Sequence, residues 1–205
     1  MDAAPAPLVV VVMGVSSSGK STLGAALAAR LGVPFLEGDA LHSPESRRKM
    51  ATGHPLTDRD REPWLEALTE RIRRWAADGR SGVVACSALK RAYRDRFRET
   101  GARIRFLQLD LDREVAARRI AARTDHFMPP SLLDSQYATL EPLGEDEPGT
   151  TVSAAGSPEE TLAAATEALA RSLARPDPDA RLRSPSGDPR SSVEGDGPDP
   201  AAAPG

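Results

Sequence analysis

The sequence predicts an α/β fold in three layers, a parallel sheet flanked by helices, on three observations. Strand-like and helix-like segments alternate along the chain, the pattern of parallel strands joined by crossover helices. The first strand, LVVVV from Leu8, is continuously aliphatic, as suits a central strand covered on both faces. Between it and a helical segment stands a glycine- and serine-rich loop, MGVSSSGKST from Met13 to Thr22.

Each later element carries its own signal. Ser21 to Leu31 is rich in alanine and leucine and meets Gly32, a natural helix terminator. VPFLEGD reads as a short second strand ending at Glu37 to Asp39, and HSPESRRKM as a loop and short helix. In TDRDREPWLEALTERIRRWAADG, Thr57 is placed as N-cap with Asp60 three residues on. An apolar stripe follows at Trp64, Leu65, Leu68, Ile72 and Trp75, and Gly79 stops the helix. GVVACS and ARIRFLQLDLD are the third and fourth strands, with ALKRAYRDRFRETG a helix between them. REVAARRIAAR is helical until the Pro129–Pro130 pair halts it; PSLLDSQYATL restarts a helix, and TTVSAA is a last short strand. SPEETLAAATEALARSLA opens with Ser157 at N-cap, Pro158 at N1 and Glu160 at N3.

With 205 residues, of which 40% are hydrophobic and 28% charged, the chain has the balance of one soluble globular domain. That domain is expected over 8–174, after a short extension at 1–7. From 175 to 205 the chain is crowded with Pro, Gly, Ser and Asp and reads as a disordered tail. The longest apolar run, Leu8 to Met13, is too short to span a bilayer, and MDAAPAP has no basic cluster of a signal peptide. A cytoplasmic protein without a membrane partner is expected. The net charge of −3 argues against a nucleic-acid partner. The single cysteine, Cys86, excludes an internal disulfide and is expected to be a small buried hydrophobe.

Chemistry enters with the loop. Gly14 and Gly19, followed by Lys20 and Ser21, fit G-x-x-x-x-G-K-[ST], the phosphate-binding loop. Backbone amides of Gly14, Val15, Ser16, Ser17, Ser18 and Gly19 can form an anion-binding concavity, reinforced by the helix start at Lys20, Ser21 and Thr22. Lys20 would reach the β and γ phosphates, and Ser21 would ligate Mg²⁺. Such a loop alone serves GTPases, motor ATPases and small-molecule kinases, and one compact domain favours the last.

Two further clusters fall near carboxyl ends of strands, where open α/β sheets bind ligands. Asp39 and His42 lie past the second strand, followed by Lys49, Asp58, Arg59, Asp60 and Arg61, a mixed-charge rim suited to a small anionic polyol. Arg119 and Arg123 stand four apart in a helix beside His126. On a closing flap at about 119–130, such arginines would neutralise a phosphoryl group in transfer.

GVSSSGKST, GDALH, KMATGHPLTDRDREPWL, CSALKRAYRDRFR and HFMPPSLLDSQYATLEPL, in this order and spacing, resemble the gluconokinase family over Leu8 to Ala174. The resemblance implies a nucleoside-monophosphate-kinase-like P-loop fold with a short lid, and a homodimer. It implies ATP-dependent phosphorylation of D-gluconate at its 6-hydroxyl, with ATP and Mg²⁺ as cofactors. Asp39, matching the GD of the family, becomes the candidate to orient or deprotonate the 6-hydroxyl, with Lys20 and Arg123 as its catalytic companions. His42 would bond substrate hydroxyls, and Arg61 is the candidate for the substrate carboxylate, which Lys90 or Arg94 could also face. Arg119 and Arg123 would reach ATP from the lid, with His126 bracing it. His54, in the GHPL turn, is expected to be structural. Two residues depart from the family pattern: Ser17 stands where glycine is usual, and Ser46 where asparagine is often found. If position 17 needs a positive φ, serine costs about 1 kcal/mol or somewhat more.

Overall fold

β1 (Leu8–Met13) is the middle strand of a five-stranded parallel sheet, and its two covered faces explain its unbroken apolar run. The computed structural model describes residues 6–122 and 131–183. After β1 come α1 (Lys20–Leu31), β2 (Phe35–Glu37), a 3₁₀ turn (Gly38–Leu41), α2 (Pro44–Ala51), α3 (Asp58–Ala77) and β3 (Gly82–Ala85). Then follow α4 (Arg91–Arg98), β4 (Arg103–Asp110), α5 (Arg113–Ala121), α6 (Ser131–Thr139), β5 (Gly149–Ser153) and α7 (Pro158–Leu173). Strand order is β2-β3-β1-β4-β5, with β1 pairing β3 from Val9↔Gly82 and β4 from Leu8↔Arg103.

Because side chains alternate along a strand, β1 feeds two cores. Val10 and Val12 pack with Leu23 and Leu27 of α1, Ala116 and Ile120 of α5, and Ala165 and Leu169 of α7. Val9, Val11 and Met13 pack on the other face with Trp64, Leu65, Leu68, Ile72 and Trp75 of α3 and Phe97 of α4. Each buried Val, Leu, Ile, Phe or Met among them contributes about 1.5–3 kcal/mol relative to exposure. The α3 stripe is therefore the one read from sequence. Its capping box forms as expected, Thr57 with Asp60, and so does that of α7, Ser157 with Glu160.

The chain beyond the expected domain end departs from the sequence reading. Residues 175–183, assigned to a disordered tail, lie against β4 and α4. Asp179 is 1% exposed and takes two bonds from Arg98, at 2.9 and 2.7 Å. Asp177 accepts from the buried Arg105 at 3.1 Å and pairs with Arg183. Two inward arginines thus hold two acids that composition alone reads as disordered tail.

Candidate active site

The first strand ends at the phosphate loop, and sterics fix the loop's shape. Gly14 has φ +138°, and a Cβ there would stand 2.7 Å from the Leu109 carbonyl oxygen. Gly19 has φ +93° as the residue before α1. Between them Ser17 has φ +61°, the left-handed region that costs a non-glycine residue about 1–2 kcal/mol. The positive φ named as a condition from the sequence is therefore present. Ser17 Oγ is buried without a hydrogen-bond partner among the described residues. Ser18 Oγ donates to the Val15 carbonyl at 2.9 Å, and Lys20 Nζ donates to the same oxygen at 2.7 Å. Ser16 N–H donates to Gln136 Oε1 of α6 at 2.6 Å.

Two clefts flank the loop. One, of about 410 Å³, is lined by Ser17, Ser18, Gly19, Thr22, Arg119 and the start of α7, a volume suited to a nucleoside-sized ligand. Arg119 reaches from α5 to the Ala155 and Gly156 carbonyls, both at 3.4 Å, across that cleft's wall. The other cleft brings Ser16, Lys20, Asp39, His42 and Arg61 together with Ser135 and Gln136. Residues far apart in sequence thus meet beside the lysine.

Asp39 and His42 owe their place to a tight turn. Gly38 sits so close to β3 that a Cβ would lie 2.5 Å from the Ala85 carbonyl oxygen. Trp64 of α3 donates from Nε1 to the Gly38 carbonyl at 2.9 Å. The His42 ring stacks on the same indole, centroids 4.7 Å apart and planes 8° from parallel. Burial lowers the His42 pKa from its ordinary value; Asp39 opposes this, while Arg61 and Arg47 add to it. His42 is accordingly a neutral imidazole at pH 7, with Nδ1 buried and unpartnered among the described residues.

The three basic candidates for an anionic acceptor separate clearly. Arg61 lines the cleft, its side chain 15% exposed, with Asp58 3.8 Å away. Lys90 is tied to Asp58 by bonds of 2.9 and 2.7 Å, and Tyr93 donates its hydroxyl to the same carboxylate. It stands beside Arg61's partner rather than in the cleft lining. The hydrogen bonds from Lys90 and Tyr93 hold the Asp58 carboxyl below its usual range. Burial and Asp58 push the Tyr93 phenol up to about 12.

Arg94 is a correction. It is wholly buried and bound to Glu147 at 2.6 and 2.8 Å and to the carbonyls of Ala88, Leu89, Glu141 and Pro142. Every guanidinium N–H is engaged in the fold, so none faces a substrate.

Arg123 and His126 lie outside the described residues. Ser46, 6% exposed, works within the cap of α2, its N–H and hydroxyl both bonded to Ser43 Oγ. His54 bonds Thr52 in its own exposed turn. Cys86 is fully buried, and burial raises its thiol pKa far above the ordinary value. Gln136 and Asp58 belonged to quoted motifs, yet nothing local marked them as partners of the loop or of Lys90.

A phosphate loop at the carboxyl end of a central parallel strand, with a second polar cleft beside its lysine, defines the class of P-loop small-molecule kinases. The comparisons carry this to a family. Gluconokinase of Gluconobacter oxydans is 48% identical over 76% of this chain and 88% of that protein. Thermoresistant gluconokinase of Escherichia coli is 39% identical over 77% and 90%. A crystal structure of a gluconokinase from Sinorhizobium meliloti superposes with TM-score 0.72 at 48% identity, covering 82% of this chain and 94% of that one. A family model described as an AAA domain matches residues 9–143. The chain belongs to the gluconokinase family.

Proposed function

We infer that the protein transfers the γ-phosphoryl group of ATP to the 6-hydroxyl of D-gluconate, giving 6-phospho-D-gluconate and ADP. The observation that carries this reading is the shared cleft of Lys20, Asp39, His42 and Arg61 beside the phosphate loop. Its substrate follows from relatives named gluconokinase over most of their length.

Phosphoryl transfer asks a protein for alignment and charge neutralisation more than covalent chemistry. Loop amides and Lys20 bind the β and γ phosphates, and the 410 Å³ cleft receives the nucleoside. ATP with Mg²⁺ supplies the phosphoryl group and its leaving group. The Ser21 hydroxyl, together with phosphate oxygens of ATP, would hold Mg²⁺, which would neutralise charge on the transferring group. Asp39 orients the 6-hydroxyl and takes its proton as the new O–P bond forms. Neutral His42, braced by Trp64, hydrogen-bonds an acceptor hydroxyl. Arg61 pairs with the gluconate carboxylate, since its planar fork matches it. Arg119, on the wall of the nucleoside cleft, and Arg123 neutralise charge on the transferring group. No helix among the described residues is long and apolar enough to cross a membrane. A cytoplasmic homodimer completes the reading, on the strength of the family resemblance.

The test is ADP release with Mg-ATP and a panel of D-gluconate, other hexonates, shikimate, nucleoside monophosphates and no acceptor. Expected is turnover on D-gluconate, lost in Asp39→Asn and Lys20→Ala. Turnover on another acceptor alone overturns the substrate; ATP binding without any acceptor-dependent turnover overturns the enzyme.

A further inference from the structure

We propose that Gln136 is a positioning residue that holds the strained phosphate loop in its anion-binding shape. The proposal rests on the nucleotide-binding part of the reading above and adds a residue outside the loop to it.

Helix α6 is pinned on both sides. Leu132 packs with Met50 and Leu56, and Tyr137 donates its hydroxyl to the Leu111 carbonyl at 2.5 Å. Between these anchors Gln136 meets the loop and accepts from Ser16 N–H at 2.6 Å, across 120 residues of sequence. Ser16 is 5% exposed, and this bond satisfies its amide. The next residue is Ser17, at φ +61°. A left-handed serine persists where its surroundings over-determine it, and the Gln136 bond fixes the Val15–Ser16 peptide, one residue ahead of that strained turn. A glycine at 17 relaxes without such help; serine makes the loop dependent on the clamp. Gln136 also lines the cleft that holds Lys20 and Asp39, so α6 couples acceptor side and phosphate side through one carboxamide.

The experiment measures ADP affinity by calorimetry for wild type, Gln136→Met, Ser17→Gly and the double variant. Methionine keeps size and helix propensity while removing the acceptor. Expected is about tenfold weaker ADP binding in Gln136→Met, the equilibrium equivalent of one lost hydrogen bond. Ser17→Gly should recover most of that loss in the double variant, because the turn no longer needs holding. Binding in Gln136→Met within about twofold of wild type overturns the proposal. So does a double variant no better than Gln136→Met, since a packing role for α6 is blind to residue 17. Gluconate turnover of wild type is run alongside. Its absence with ADP still bound rejects the acceptor assignment, while the ADP series decides Gln136 independently.

Discussion

Arg94→Met separates a structural arginine from a substrate-binding one. The wild-type guanidinium is 0% exposed and the Glu147 side chain 1%. Methionine fills much of the volume but strips the carboxylate of both short bonds, leaving it the Gly144 N–H at 2.9 Å. It also leaves four carbonyls without this donor, those of the buried Ala88 and Leu89 among them. Removing one partner of a buried ion pair costs about 3–5 kcal/mol, and a chain of this size loses about 2–4 °C of Tm per kcal/mol. The expected fall in Tm is therefore about 6–20 °C.

The sign of its pH dependence follows. In wild type, burial pushes the Glu147 carboxyl up, but Arg94 and the Gly144 N–H hold it below its ordinary 4.5. Its contribution is present above that value and lost as pH falls through the lower folded one. In the variant the unpaired buried carboxylate titrates high, so the deficit against wild type narrows as pH falls from 8 towards 5. Melts followed by circular dichroism across that range, with KM for gluconate at 20 °C, read both effects. A variant melting within about 2 °C of wild type, under one kcal/mol, but with a tenfold higher KM would return Arg94 to the substrate and refute the structural assignment.

Three further outcomes are expected. Ending the chain at Ala174 removes Asp177 and Asp179, which strands the buried Arg105 and leaves the half-buried Arg98 with Asp95 alone as its acid partner. Tm should drop by about 6–20 °C, with Asp179→Asn reproducing part of the loss; an unchanged melt makes the docked segment dispensable. Because His42 is held neutral by burial, the unfolded chain binds its proton first as pH falls below 6.5. Stability therefore declines there, and His42→Gln should decline less between pH 7.5 and 5.5; parallel curves would contradict this. Cys86, fully buried with its thiol pKa raised, should resist Ellman's reagent in the native protein and react fully on unfolding; rapid native labelling would place it at an accessible site.

How far the sequence could be read divides along the reach of each interaction. The phosphate loop, both capping boxes and the α3 stripe are written within a few residues, where spacing and periodicity speak directly. Ser17 was legible as a cost, since a side chain at a left-handed position is strained whatever surrounds it. Arginine direction was not. α4 carries Arg91, Arg94, Arg96 and Arg98 in eight residues, and helical geometry alone leaves open which of them turns inward. Glu147, 53 residues away, selects Arg94, and Asp179, 81 away, selects Arg98. The same holds for the site: Asp58 looked like rim charge until Lys90 and Tyr93 were brought to it, and Gln136 carried no local mark until α6 met the loop. Local signals thus locate the phosphate chemistry, while the residues that aim it are chosen by pairings that exist only once the sheet has formed. Substitutions outside the loop motif, at Gln136, Asp58 or Trp64, are therefore where activity should be lost with every phosphate-loop residue intact.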